Sequence, residues 1–118
     1  MAVLRITANL ACEDPTGMAA FYRYLFDLDI AMNMEFIVTM EPGTATRQPP
    51  QVSVLSEGGS GTPVPALSIE VDDLDRVITR CRLRGIAIEY GPVEEPWGVR
   101  RIYLRDPAGH LVNVLTHK

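Results

Sequence analysis

The chain has 118 residues, 47% of them hydrophobic and 22% charged, which is the size of one domain and the balance of a folded globule. A net charge of -4 excludes the dense Lys and Arg surface that a nucleic-acid backbone or an anionic membrane selects. Two cysteines, Cys12 and Cys81, are too few for a disulfide scaffold, no secretory leader pattern opens the chain, and no apolar run approaches the ~18 residues that cross a bilayer. A reduced, cytoplasmic setting is the expectation.

Residues 3–11 alternate, with Leu4, Ile6, Ala8 and Leu10 on one face and Arg5, Thr7 and Asn9 on the other, which predicts a half-buried strand. Asp14 then supplies an N-cap and Pro15 a first-turn proline, and Met18, Phe21, Tyr22, Leu25 and Phe26 recur at helical spacing, so a helix runs to about Phe26. Three strand-like runs follow at 30–34, 36–40 and 51–56, broken by Pro42-Gly43 and Pro49-Pro50. Residues 57–65, rich in Gly, Ser, Thr and Pro, read as a surface linker.

Beyond it the order repeats. A strand over 66–71 leads to a cap at Asp72 or Asp73 and a helix carrying Leu74, Val77, Ile78, Cys81 and Leu83, which stops at Gly85. Strands at 86–90, 99–105 and 111–116 complete the chain, separated by a loop with Pro92, Pro96 and Gly98 and by the turn Asp106-Pro107-Ala108-Gly109. Val52-Ser53-Val54-Leu55-Ser56 also lines up with Val112-Asn113-Val114-Leu115-Thr116, and Ile30-Ala31 with Ile86-Ala87. The expectation is a single α+β domain over 1–118, made of two tandem βαβββ modules: module one 1–57, a linker 58–65 and module two 66–118. Arg76, Arg80, Arg82 and Arg84 read as the solvated face of the second helix. His110 reads as a structural turn residue.

Three segments carry a family likeness: Thr7-Ala8-Asn9-Leu10-Ala11-Cys12-Glu13-Asp14 with Ala20-Phe21-Tyr22 and Leu25; Val71-Asp72-Asp73-Leu74; and Arg105 to Asn113 with its Asp106-Pro107-Ala108-Gly109 turn. Together they resemble the vicinal oxygen chelate superfamily of glyoxalases, bleomycin resistance proteins and extradiol dioxygenases. The resemblance implies two βαβββ modules forming a cupped mixed sheet with helices outside, a homodimer, and ligands held in the cup. In metal-dependent members it also implies four His or Glu ligands, one from the first and one from the last strand of each module. Here those positions fall on Thr7, Ser53, Ala66 and Asn113. A hydroxyl, a methyl or a carboxamide is a poor donor for a catalytic divalent ion, so no metal and no cofactor is expected. Glu70 and His117, with Glu57, are the nearby candidates for a different metal site.

Alternation along 99–105 turns Ile102 and Leu104 toward the helices and Arg101, Tyr103 and Arg105 toward the cup. Tyr90 is the favoured cup residue of the preceding strand, and Trp97 is an aromatic placed to stack at the rim. Met32, Met34, Phe36 and Met40 are apolar side chains able to fit an irregular ligand. The sequence therefore predicts a metal-independent small-molecule binding protein that takes an aromatic or amphipathic compound on Thr7, Asn9, Ser53, Glu70, Tyr90, Trp97, Arg101, Tyr103 and Asn113. Two alternatives stand beside it. One is an atypical lyase, isomerase or hydrolase with Glu70 as general base and Arg101 or Tyr103 steadying an anion, and the other is a structural dimer with a collapsed cup.

Overall fold

The second half of the chain builds a complete βαβββ unit, and the first half lays a helix and a hairpin against it. The computed structural model describes residues 8–42, 53 and 55–118. Among these, helix α1 (Pro15–Phe26) is followed by β1 (Leu28–Asn33), β2 (Val38–Pro42), β3 (Leu67–Glu70), α2 (Leu74–Leu83), β4 (Ile88–Glu94), β5 (Val99–Arg105) and β6 (Leu111–His117). No helix among the described residues is long and apolar enough to cross a membrane.

Asp14 caps α1 by accepting a hydrogen bond from the Gly17 amide, with Pro15 in the first turn, because the first amides of a helix have no partner inside it. Asp73 does the same for α2 through the Arg76 amide. The buried stripe Met18, Tyr22 and Leu25 of α1 and the stripe Leu74, Val77, Ile78 and Cys81 of α2 share one core with Ile102 and Leu104 of β5 and Val112 and Val114 of β6. Both helices therefore cover the same face of the second sheet.

That sheet has four strands in the order β3-β6-β5-β4. β3 runs parallel to β6, and the other pairs are antiparallel. β1 and β2 form a separate antiparallel pair, turned at Glu35, whose φ is +66° and whose amide is held by the Asn33 side chain.

Several expectations need correction. Residues 8–11 have no regular structure, and the rest of the predicted first strand lies outside the described residues, as do 51, 52 and 54 of the strand predicted at 51–56; Ser53 and Leu55 are not in a strand. β4 starts at Ile88 rather than 86 and continues through Gly91 and Pro92 to Glu94. It tolerates the proline because its register against β5 shifts after Ile88 and again after Tyr90, and bulges release ladder positions that proline cannot fill. Gly91 belongs at this kink, since its φ is +83° and a Cβ there would run into the Arg101 carbonyl of β5.

Leu83 is 76% exposed and lies off the core stripe. The arginines of α2 are not all a solvated face. Arg80 donates from Nη1 to the carbonyls of Tyr24 at 3.2 Å and Leu25 at 3.1 Å and pairs with Asp27 at 3.2 Å, while the Arg84 guanidinium lies 3.6 Å from the centre of the Tyr24 ring. A cation at a helix C-terminus satisfies carbonyls that the helix leaves open, so these two side chains fasten α2 to the end of α1.

Residues 58–63, read above as a surface linker, pack instead as a strap across the sheet face opposite the helices, where Gly58 and Thr62 are buried. A Cβ at Gly58 would collide with the Pro63 carbonyl and the Tyr103 hydroxyl. The close fit is the physical reason for a glycine at this position.

Candidate ligand-binding site

On the strap-covered face, alternation brings up Arg101 and Tyr103 of β5, Asn113 of β6 and Ser68 and Glu70 of β3. Arg101 is only 3% exposed. Its Nε donates to Glu95 at 3.0 Å, and Nη2 lies 2.6 Å from the same carboxylate. Nη1 donates to the Gly58 carbonyl at 2.9 Å and the Tyr103 hydroxyl at 3.0 Å, and Nη2 also reaches the Gly59 carbonyl at 3.2 Å. Tyr90 donates its hydroxyl to Glu95 at 3.2 Å, and the Thr62 and Tyr103 hydroxyls are 2.9 Å apart. All three guanidinium nitrogens are thus engaged by the chain itself.

The aromatic residues of this region close the same assembly. The rings of Tyr90, Trp97 and Tyr103 lie 5.4, 5.1 and 4.8 Å from the Arg101 guanidinium carbon, at distances where a ring quadrupole attracts a cation. Trp97 is 51% exposed, and its indole rests against Gly59, where an added Cβ would come within 2.7 Å of the ring. The structure brings Tyr90, Trp97, Arg101 and Tyr103 together, but around the chain's own strap. Glu95 and Thr62 complete the assembly and were missed by sequence reasoning. Thr62 meets Tyr103 some forty residues away in the chain, and Glu95, although only five and six residues from Tyr90 and Arg101, reaches them through the fold of the β4–β5 turn, which sequence periodicity does not show.

The remaining predicted residues are scattered. Thr7 lies outside the described residues, Ser53 is exposed, and Asn9 is exposed beside α1. Asn113 is 8% exposed, donates to Ser68 Oγ at 3.1 Å and leaves its Oδ1 without a partner. Glu70 contacts His117 at 3.0 Å, both side chains being more than 60% exposed. Glu57 accepts from the Gly61 amide.

This donor set does not fit a metal. Ser53 and Ala66 are exposed, Asn113 offers an amide, and no three His, Cys, Asp or Glu side chains converge among the described residues. A stable divalent site needs several imidazole or carboxylate donors at once.

A concave apolar space lies on the helix side. Between α1, the β1–β2 hairpin, residues 8–12 and β3 is a chamber of about 420 Å³, lined by Leu10, Met18, Tyr22, Phe36, Met40 and Ile69 among others, with Asn9 and Thr39 as polar members. Phe36 and Met40 come from the apolar set singled out in the sequence; Phe36 stands at the open rim and is 77% exposed, more than Met32 and Met34, which do not line the space. Tyr22 donates its hydroxyl to Asp106 at 2.7 Å. Burial, and then this hydrogen bond to a carboxylate and the charge behind it, push the phenol's pKa far upward. Asp106 in turn accepts from the amides of Ala108 and His110. Burial also pushes the Cys81 thiol up.

A βαβββ sheet with one parallel pair, backed by two side-by-side helices, is the architecture of a glyoxalase-like α+β protein. The chain matches the family described as Glyoxalase/Bleomycin resistance protein/Dioxygenase superfamily over residues 4–114, and it belongs to that family. No curated protein sequence matches it significantly.

Among solved structures it is similar to TnmS3, an antibiotic binding protein from Streptomyces sp. CB03234, with 20% identity, a TM-score of 0.68 and coverage of 100% of this chain and 99% of that one. It is also similar to a lactoylglutathione lyase from Agrobacterium tumefaciens, with 23% identity, a TM-score of 0.65 and coverage of 98% and 96%. TioX from Micromonospora sp. ML1 is 21% identical, with a TM-score of 0.62 and coverage of 97% and 96%. At these identities the likeness is one of fold.

Proposed function

We propose that this chain is a metal-independent binding protein for a small aromatic or amphipathic molecule, held in the chamber between α1 and the β1–β2 hairpin. The observation that carries this reading is the chamber itself. Its volume of about 420 Å³ falls within the ~300–1,000 Å³ of small-molecule sites, and a mostly apolar wall with a few polar groups is the usual composition of such sites. The antibiotic-binding description of TnmS3 supports small-molecule binding on this fold. The protein works in the cytoplasm as a homodimer, a state supported by the exposed Ile30, Met32, Met34 and Phe36 of the hairpin.

The strap-covered face is a weaker place for the ligand, because Arg101 and Tyr103 already have partners there. Catalysis by Glu70 has one supporting contact, the His117 imidazole. That pair is solvated and lies on the face of β3 opposite Leu67 and Ile69, which border the chamber.

The test is equilibrium binding of N-phenyl-1-naphthylamine, a neutral aromatic probe, followed by its fluorescence. Thr39→Trp places an indole at the chamber wall and is expected to weaken binding at least ~10-fold, or about 1.4 kcal/mol. Undiminished binding by this variant would remove the chamber as the site.

A further inference from the structure

The chamber has an uncharged interior and acidic surroundings. No Asp, Glu, Lys, Arg or His side chain lines it. Residues 8–42, which supply α1, the hairpin and the segment before them, carry six carboxylates, at Glu13, Asp14, Asp27, Asp29, Glu35 and Glu41, and one cation, Arg23. We propose, resting on the reading of the chamber as the ligand site, that it selects amphiphilic cations. A flat apolar body lies inside, and a protonated amine or quaternary ammonium stays at the open side.

The interior decides where a charge can sit. An ion taken out of water without a partner is strongly penalised, and the wall offers polar side chains such as Asn9 and Thr39 but no counter-ion. A charged group on the ligand therefore remains in the solvated opening beside Asn9 and Phe36, both of which are exposed.

The surroundings decide the sign. Glu35 precedes Phe36 in a turn fixed by the Asn33 side chain on the Glu35 amide at 3.1 Å and by the Met34 amide on the Ile37 carbonyl at 3.0 Å. Phe36 adds an aromatic ring that is 77% exposed, and a ring face attracts an ammonium. Glu13 and Asp14 border the neighbouring groove, which shares Cys12 and Met18 with the chamber wall. Arg23 donates from Nε to the Leu28 carbonyl at 3.3 Å, and of the six carboxylates only Asp27 has an ion-pair partner among the described residues, Arg80. Counting Arg5 and Arg47, which lie outside the described residues, the first 56 residues still hold twice as many acids as bases. A second copy of the chain carries the same charges, so pairing leaves the sign unchanged.

Three naphthalenes of one size and different charge test the selection: 1-naphthylmethylamine, protonated at neutral pH, 1-naphthalenemethanol and 1-naphthoate, each displacing N-phenyl-1-naphthylamine from the full chain. At about 0.01 M ionic strength, where charges act over ~30 Å, the amine is expected to bind ~10-fold more tightly than the naphthoate. Near 1 M salt, where that range shrinks to ~3 Å, the ratio is expected to fall to about twofold or less. Glu35→Gln, a change at an exposed position, is expected to lower the ratio of amine to alcohol affinity at least ~2-fold at low salt. Equal binding of amine and naphthoate, or a preference indifferent to both salt and Glu35→Gln, would overturn the charge selection, while binding of the alcohol would still report an intact chamber. If neither the alcohol nor N-phenyl-1-naphthylamine binds, the chamber reading falls and the selection with it.

Discussion

Arg101 and Glu95 form an ion pair with side chains 4% and 3% exposed, and the energetics of such a pair depend on what is left when one partner goes. Burying two charges is costly, and a buried pair is often no better than two apolar residues of equal volume; removing one member, however, strands a desolvated charge. Arg101→Met would leave the Glu95 carboxylate with Tyr90 and Ser60 as its remaining side-chain partners and would take one donor from each of the Gly58 and Gly59 carbonyls, which keep the Tyr103 hydroxyl and the Thr62 amide and hydroxyl respectively. We expect it to lower the unfolding free energy by ~3–5 kcal/mol in urea titrations. The double variant Arg101→Met with Glu95→Leu is expected to recover part of that loss. Destabilisation under about 1 kcal/mol, the range of an exposed pair, would show that the web is solvated after all.

Single residues join distant elements at a second place, where Tyr22 of α1 meets Asp106 in the turn between β5 and β6. The sign of its pH effect follows from its environment. The folded state holds the neutral phenol and raises its pKa above the unfolded value of ~10, so the contribution is fully present below that pH and is lost as pH rises beyond it. The expected outcome is a steep alkaline loss of stability, up to about 1.4 kcal/mol per pH unit from this group alone, which Tyr22→Phe flattens in melts taken between pH 9 and 11. An alkaline limb identical in the two proteins would mean that the phenol ionises freely in the fold.

At this scale the sequence is readable wherever a signal is local. The caps Asp14 and Asp73 and the alternation of 99–105 each act within a few residues, and the helices and β5 follow from them. The extension of β4 past Pro92 depends on register shifts against β5, and the packing of 58–63 depends on Arg101 some forty residues away in the chain. Turn-rich composition describes such a strap and a loose linker equally well. Sequence periodicity therefore turns Arg101 and Tyr103 to the correct face but does not show that the chain itself occupies it.

The whole molecule has the architecture of its family. The family resemblance was legible because it rests on residue order over most of the chain, and the donor quality of Thr7, Ser53, Ala66 and Asn113 is a property of residue type, although the resemblance alone places these residues at ligand positions. The chamber was not, because its walls come from both halves: Phe36 and Met40 from the hairpin, Met18 and Tyr22 from α1, and Leu67 and Ile69 from β3. No window of sequence contains them together. The proposed site, built from packing rather than from ligating groups, has a consequence for metal dependence. Binding of a divalent ion to the folded state alone would raise the melting temperature with the logarithm of one plus ion concentration over Kd, and here no cluster of strong donors exists among the described residues to supply that term. Incubation with EDTA is expected to leave both the melting temperature and N-phenyl-1-naphthylamine affinity unchanged, and Zn, Ni, Mn or Fe(II) added at equimolar ratio to raise neither. A near-stoichiometric ion retained through chelation, or probe binding lost on its removal, would overturn the metal-independent reading at its root, because the ligand pocket would then have to be organised around donors rather than around the apolar walls.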